Sequence, residues 1–227
     1  MIKSFSHQFI ILTKLGLKIE FTQLKQLLSS FLFALTLLLL FSFAVGELET
    51  NVKIKVVLSE VFVCSFLVLQ FVHQRIFQAE ESDRALDILL TTPLSLSIVY
   101  LSKVFLAILF CTSIISPFLV FIQLIHNIKV LNLFIFTVVL LVVIALSCIG
   151  ILLSQMTEKS RGKDLLFPLL YFPLTSPVLI AGVQASLSHF EIQNTTNTNL
   201  WLGVLLCFSL IYLSLGILLF EELFGLD

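Results

Sequence analysis

Charge is scarce in this sequence. Asp, Glu, Lys and Arg make up 12% of its 227 residues, about half the share usual in soluble domains. That shortage argues against a water-soluble globule. With 59% apolar residues and a mean hydropathy of +1.11, it leaves an integral membrane protein. A net charge of −1 offers no basic surface for nucleic acid. Cysteine is sparse too. Cys64, Cys111, Cys148 and Cys207 all fall in apolar runs, without a C-x-x-C pair or a histidine at ligand spacing. They read as small buried apolar residues, so neither a disulfide framework nor a metal site is expected. The phosphate-loop pattern G-x-x-x-x-G-K-[ST] is missing. So is any paired-Asp, Ser/Lys or H-E-x-x-H constellation. No catalytic residue is assigned, and the chain is not expected to be an enzyme.

Long apolar runs are what it does have. A bilayer crossing needs about 20 apolar residues, and six runs qualify, at about 27–46, 54–72, 98–125, 130–153, 165–187 and 200–220. The third carries Pro117, which should kink it without ending it. Residues 1–26 mix Lys3, Lys14, Lys18, Lys25 and Glu20 with Phe5, Phe9, Leu12, Leu17 and Phe21. They are too polar to span, and no small-residue cleavage site follows. The expectation is an amphipathic helix in the headgroup layer, with a disordered tail as the alternative. Sorting the 13 Lys and Arg by the positive-inside rule places ten on the N-terminal side of the membrane and three, Lys53, Lys55 and Lys129, on the other. Both termini are therefore expected in the cytoplasm, and residues 1–227 form a single membrane domain.

Between the second and third runs lies a polar island, FQAEESDRALDILLTTP, from Phe77 to Pro93. It holds Glu80, Glu81, Asp83, Arg84 and Asp87, followed by Leu86, Ile88, Leu89 and Leu90. The acids recur at helical spacing and share a face, and Pro93 should stop the helix. The expectation is a cytoplasmic amphipathic helix over 74–93 with its leucines on the membrane domain. A solvated loop, charged only to stay out of lipid, is the alternative.

This stretch is similar to the signature of the CcmB family of haem-exporter permeases, close to F-x-x-D-x-x-D-G-x-L-E-x-L-L-L-S-P. Phe77, Asp83, Leu86, Leu89, Leu90 and Pro93 match, Glu80 and Asp87 keep the charge, and Arg84 stands where the family usually has Gly. A second segment, LLFPLLYFPLTSPVLIAG, resembles the family's proline-interrupted run, ending here at Pro177 to Gly182. The resemblance implies an all-α, six-span, ABC-2-like permease of the cytochrome c maturation system. It implies that Phe77, Glu80, Asp83, Arg84, Leu86, Asp87, Leu89 and Pro93 couple to a separate ABC ATPase of the CcmA type, which binds the ATP. It also implies CcmC-like and CcmD-like membrane subunits, a CcmE-like haem chaperone, two copies in the complex, and haem as cargo or as a ligand of a partner. The location implied is the bacterial cytoplasmic membrane, with the mitochondrial inner membrane as the alternative. The tryptophan-rich WWD motif of haem-handling membrane proteins is absent, since Trp201 is the single tryptophan. This chain is therefore not expected to be the main haem binder.

A few residues stand out from their runs. Glu60 falls inside the second span, where an ionisable group is a functional candidate, unless the span starts later and Glu60 sits at the headgroups. Lys103 is expected to snorkel at the cytoplasmic end of the third span. Pro168, Pro173 and Pro177 in one run, with Gly182 after them, suggest a broken or re-entrant segment near the outer face, with a kinked helix as the alternative. His126 and His189 read as polar loop residues, a haem contact being the less favoured reading. Two rival functions remain: a permease of another ABC exporter, for lipid-linked sugar or drug, and a structural scaffold of a membrane complex.

Overall fold

The computed structural model describes residues 5–22, 24–46, 48–81, 95–158, 162–190 and 198–225. Among them are seven α-helices: α1 (Phe5–Thr22), α2 (Leu24–Val45), α3 (Thr50–Glu81), α4 (Leu96–His126), α5 (Leu133–Glu158), α6 (Lys163–His189) and α7 (Thr198–Gly225). No strand occurs in the described residues. In lipid only a helix satisfies every backbone group within one segment, so helices are what a sequence this apolar must form.

α5 is the axis of the bundle and packs against α3, α4, α6 and α7. Its sequence explains its place, because no charged residue occurs between Leu133 and Thr157. A helix apolar all round belongs in the middle. From α3 to α6 consecutive helices run antiparallel, as cross-helix contacts show. The beginning of α3 meets the end of α4 at Glu60 and His126, and the beginning of α5 meets the end of α6 at Asn132 and His189. At the other side, Tyr100 early in α4 donates its hydroxyl to the Cys148 carbonyl late in α5, at 3.0 Å. We call these the loop end, after the short Asn127–Asn132 connection, and the motif end, where α3 leads into the acidic segment.

Four helices contain stretches long and apolar enough to cross a membrane: Leu96–His126, Leu133–Thr157, Leu165–His189 and Thr198–Phe220. α2 adds a shorter apolar stretch, Leu28–Ala44. α3 is the most polar of the long helices, with Lys53, Lys55, Glu60, Arg75, Glu80 and Glu81 along it. Packing against α2, α4, α5 and α6 lets it hold polar groups away from lipid. The outer surface is the reverse of a soluble protein's, with Phe43, Leu133 and Leu165 each at least 80% exposed. That is a surface made for acyl chains.

Residues 5–22 form the expected N-terminal helix, which docks on α4. Phe9 meets Phe105 edge-on at 5.8 Å, and Thr13 is buried. Lys14 and Lys18 are exposed along with Ile10, Ile11 and Leu15.

Two expectations are corrected. α3 does not end near residue 72 with a separate helix beginning at 74, because residues 74–81 are its last two turns. Nothing between Phe71 and Glu81 stops a helix: there is no Gly or Pro, and Gln74, Arg75, Gln78, Ala79, Glu80 and Glu81 are good helix formers. Nor is the proline run broken. α6 is one continuous helix through Pro168, Pro173 and Pro177, and these prolines sit nearer its Lys163 start than its His189 end. A hydroxyl makes up for one of the lost backbone bonds. Pro177 has no N–H for the Pro173 carbonyl four residues back, and Ser176 Oγ donates to that carbonyl at 3.0 Å. One residue on, the Tyr212 hydroxyl of α7 donates to the Leu174 carbonyl, tying α7 to the proline segment.

Gly182 is a point of close approach. A Cβ there would lie 2.8 Å from Val142 Cγ2 and 2.9 Å from Phe62 Cε1, so it marks where α6 presses on α5 and α3 at once. Small residues serve this purpose in membrane bundles. Gly182→Ala is expected to lower the melting temperature of the detergent-solubilised chain, at a cost of about 1 kcal/mol or more. A melt matching the wild type would show that the three helices can part freely at this level.

Candidate coupling site

The acidic segment is only partly in view. Phe77 and Glu80 lie on the last turns of α3, whereas Asp83, Arg84, Leu86, Asp87, Leu89 and Pro93 lie outside the described residues. The continuity of α3 is what the described part contributes. Thirty-two residues at about 1.5 Å each make a rod about 48 Å long, against a hydrocarbon layer of about 30 Å. A single rigid element therefore joins the loop end to the start of the acidic segment.

Along that rod stand a buried acid, Glu60, and a buried imidazole, His73, and the first faces His126 of α4. Glu60 is 3% exposed and His126 4%, with His126 Nε2 and Glu60 Oε2 3.4 Å apart. Glu60 is thus an interior residue of the bundle, and His126 is no loop residue, since it closes α4. Asn127 follows in the left-handed region at φ 55°, its N–H bonded to the Gln123 carbonyl. Asn tolerates that conformation better than most residues. Gln123 Oε1 in turn accepts the Leu131 N–H at 2.9 Å. The Asn127–Asn132 turn is thus pinned from both sides, and it fixes where His126 points.

Further along α3, His73 is fully buried between α5 and α6. Its Nε2 lies 3.4 Å from Ser147 Oγ, its ring meets Tyr171 edge-on at 5.8 Å, and its Nδ1 has no hydrogen-bond partner. A notch at Gly150 admits the ring, because a Cβ on residue 150 would fall on Nδ1 and within 2.7 Å of Cε1 and Cγ. Tyr171 is stacked with Phe66 at 5.3 Å and with Phe167 at 5.1 Å. This cluster locks α3, α5 and α6 together towards the motif end. His73 does not stand out in the sequence. Its signal was a histidine at the polar limit of an apolar run, which hydropathy alone reads as a span end.

Other residues fall differently from expectation. Lys103 is 3% exposed, so it lies inside the bundle and does not snorkel. His189 is exposed at the end of α6, where Asn132 Nδ2 donates to its Nε2 at 2.7 Å and Phe134 stacks on its ring at 4.6 Å. No group of three or more His, Cys, Asp or Glu able to hold a metal occurs among the described residues.

A search of curated proteins returns no match. Against protein families, residues 7–220 match the one described as CcmB protein, which covers nearly the whole chain, including both motifs and every helix from α2 to α6. An all-helical membrane bundle carrying those motifs is what such a match requires, and the chain belongs to the CcmB family, the ABC-transporter permease family of cytochrome c maturation.

Proposed function

We propose that this chain couples ATP hydrolysis by a partner ATPase to haem export, or to release of a haem-loaded chaperone, on the far side of the membrane. In this reading α2 and α3 complete six spans with α4 to α7, α1 rests in the headgroup layer, and both termini face the cytoplasm of a bacterial cell. The ATPase docks at the motif end against Glu80, Asp83 and Asp87, with Leu86 and Leu89 turned to the membrane domain. CcmC-like, CcmD-like and CcmE-like proteins complete the assembly, and two copies of this chain face the two nucleotide sites of an ATPase dimer.

The observation that carries the reading is the unbroken α3. A push at Phe77 cannot be absorbed by a hinge before Glu60, because the 16 residues between them are continuous helix. Closure of the ATPase therefore moves the loop end of α3 against α4. Coupling residues that only dock need not be individually strong, since an exposed ion pair contributes about 0–1 kcal/mol. The test is the double reversal Glu80→Lys with Asp83→Lys. The variant chain is expected to insert normally and to lose most of the ATPase that co-purifies with the wild type. Undiminished co-purification would leave the segment a solvated loop.

A further inference from the structure

The loop end holds one buried acid facing one buried imidazole, and we infer that Glu60 and His126 form a one-proton binding site whose occupancy is tied to closure of α3 on α4. Three observations carry this. Both side chains are almost wholly buried. Their nearest polar atoms are 3.4 Å apart, within ion-pair range but without hydrogen-bond alignment. Neither oxygen of Glu60 nor Nε2 of His126 has a hydrogen-bond partner among the described residues.

Besides Lys53, the charges nearest the pair in sequence are Glu49, Lys55 and Lys129, all exposed to solvent. Of the other helices packed on α4, α1 carries His7, Lys14, Lys18 and Glu20, and α7 carries Glu221 and Glu222 in its last turns, at the motif end. On α3, Lys53 acts electrostatically on His126, and the Cys64 thiol lies one turn beyond Glu60. α2 carries Lys25 alone, at the motif end. On α4 the only other charged group is Lys103, also towards the motif end. α5 has no charged residue before Glu158. α6 brings His189, held by Asn132, with Lys163 and Asp164 at its far end. The pair must therefore balance its own charge. With no proton it carries −1, with two it carries +1, and with one it is neutral, whether as imidazolium and carboxylate or as imidazole and carboxylic acid. Burial disfavours net charge strongly, so the closed bundle holds one proton. Separating α3 from α4 hydrates both groups and lets each titrate alone. Opening the loop end thus takes up or releases a proton, according to the pH on that side. This rests on the pair's geometry and does not depend on which cargo or ATPase the chain serves.

The experiment is infrared difference spectroscopy of the full-length chain in lipid nanodiscs, stepped through the pH range where carboxyl and imidazole groups titrate. Wild type is expected to show a buried-carboxyl signal that is absent from Glu60→Gln. The pH at which it changes should be displaced in His126→Gln. The single variants and their double should also melt non-additively. Identical titration of the Glu60 signal in wild type and His126→Gln would overturn the proposal, as would additive melting. Should Glu60→Gln fail to fold, His126→Gln, which keeps the carboxyl, decides through its displacement alone.

Discussion

Cells lacking this chain are expected to lose covalently attached haem from all their c-type cytochromes while keeping b-type haem. Family membership places the chain in cytochrome c maturation, and haem synthesis lies upstream of any such step. Haem staining of denatured membrane proteins reads the first part, and reduced-minus-oxidised spectra read the second. The chaperone is expected to remain haem-loaded in the deletion strain, because the proposed role is release or export and not loading. Its haem content in the same strain tests that point separately. Replacing His189 by Ala is expected to leave c-type haem unchanged, since Asn132 and Phe134 already engage that ring. Normal c-type cytochromes in a strain without a second copy of the gene would favour an exporter of another cargo. Normal cytochromes together with fragmentation of a membrane complex would favour a scaffold.

Gly150→Ala is expected to be among the most damaging single changes to the fold itself. The added methyl would fall on the His73 ring, which has little room to retreat with Tyr171 on one side and Ser147 at Nε2. Overpacking of this kind costs about 1–3 kcal/mol, a large share of a marginal stability. Removing the ring should relieve it, so Gly150→Ala combined with His73→Ala is expected to melt above the sum of the two single losses. Fluorescence-detected size exclusion after heating measures all three variants. Unchanged melting of Gly150→Ala would show that α3 and α5 are not in contact at this level.

Much of the architecture was legible before the structure. α4, α5 and α7 come from apolar runs with few interruptions, and their ends agree with hydropathy to within a few residues. α3 was misjudged at its motif end because hydropathy reports where lipid ends, whereas helix propensity decides where a helix ends. At Gln74 to Glu81 the two part company. α6 was misjudged because proline rules weigh lost backbone bonds without knowing which hydroxyls can replace them. Ser176 stands next to Pro177 in the sequence, but its bond to the Pro173 carbonyl is visible only once the helix is placed. Glu60 was visible as an anomaly in its run. Its partner, 66 positions away, could be named only once the helices were placed. The docking face of the acidic segment was read from spacing and resemblance, and the described residues reach it only at Phe77 and Glu80.

The polarity of α3 also bears on how the chain enters the membrane in the first place. Each Lys or Asp near mid-bilayer adds about 2.5–3.5 kcal/mol to the insertion of an isolated helix, and Glu60 belongs to the same class of burden. α3 also carries lysines at one end and acids at the other. Its successors α4 and α5 are strongly apolar and would leave a translocon unaided. In the six-span reading proposed above, α3 is the helix that has to wait at the exit for a companion, and α4, which brings His126 to Glu60, is the companion its sequence selects. A ribosome-bound chain truncated soon after Glu81 should slip back to the cytoplasmic side, and one extended past Asn132 should be held.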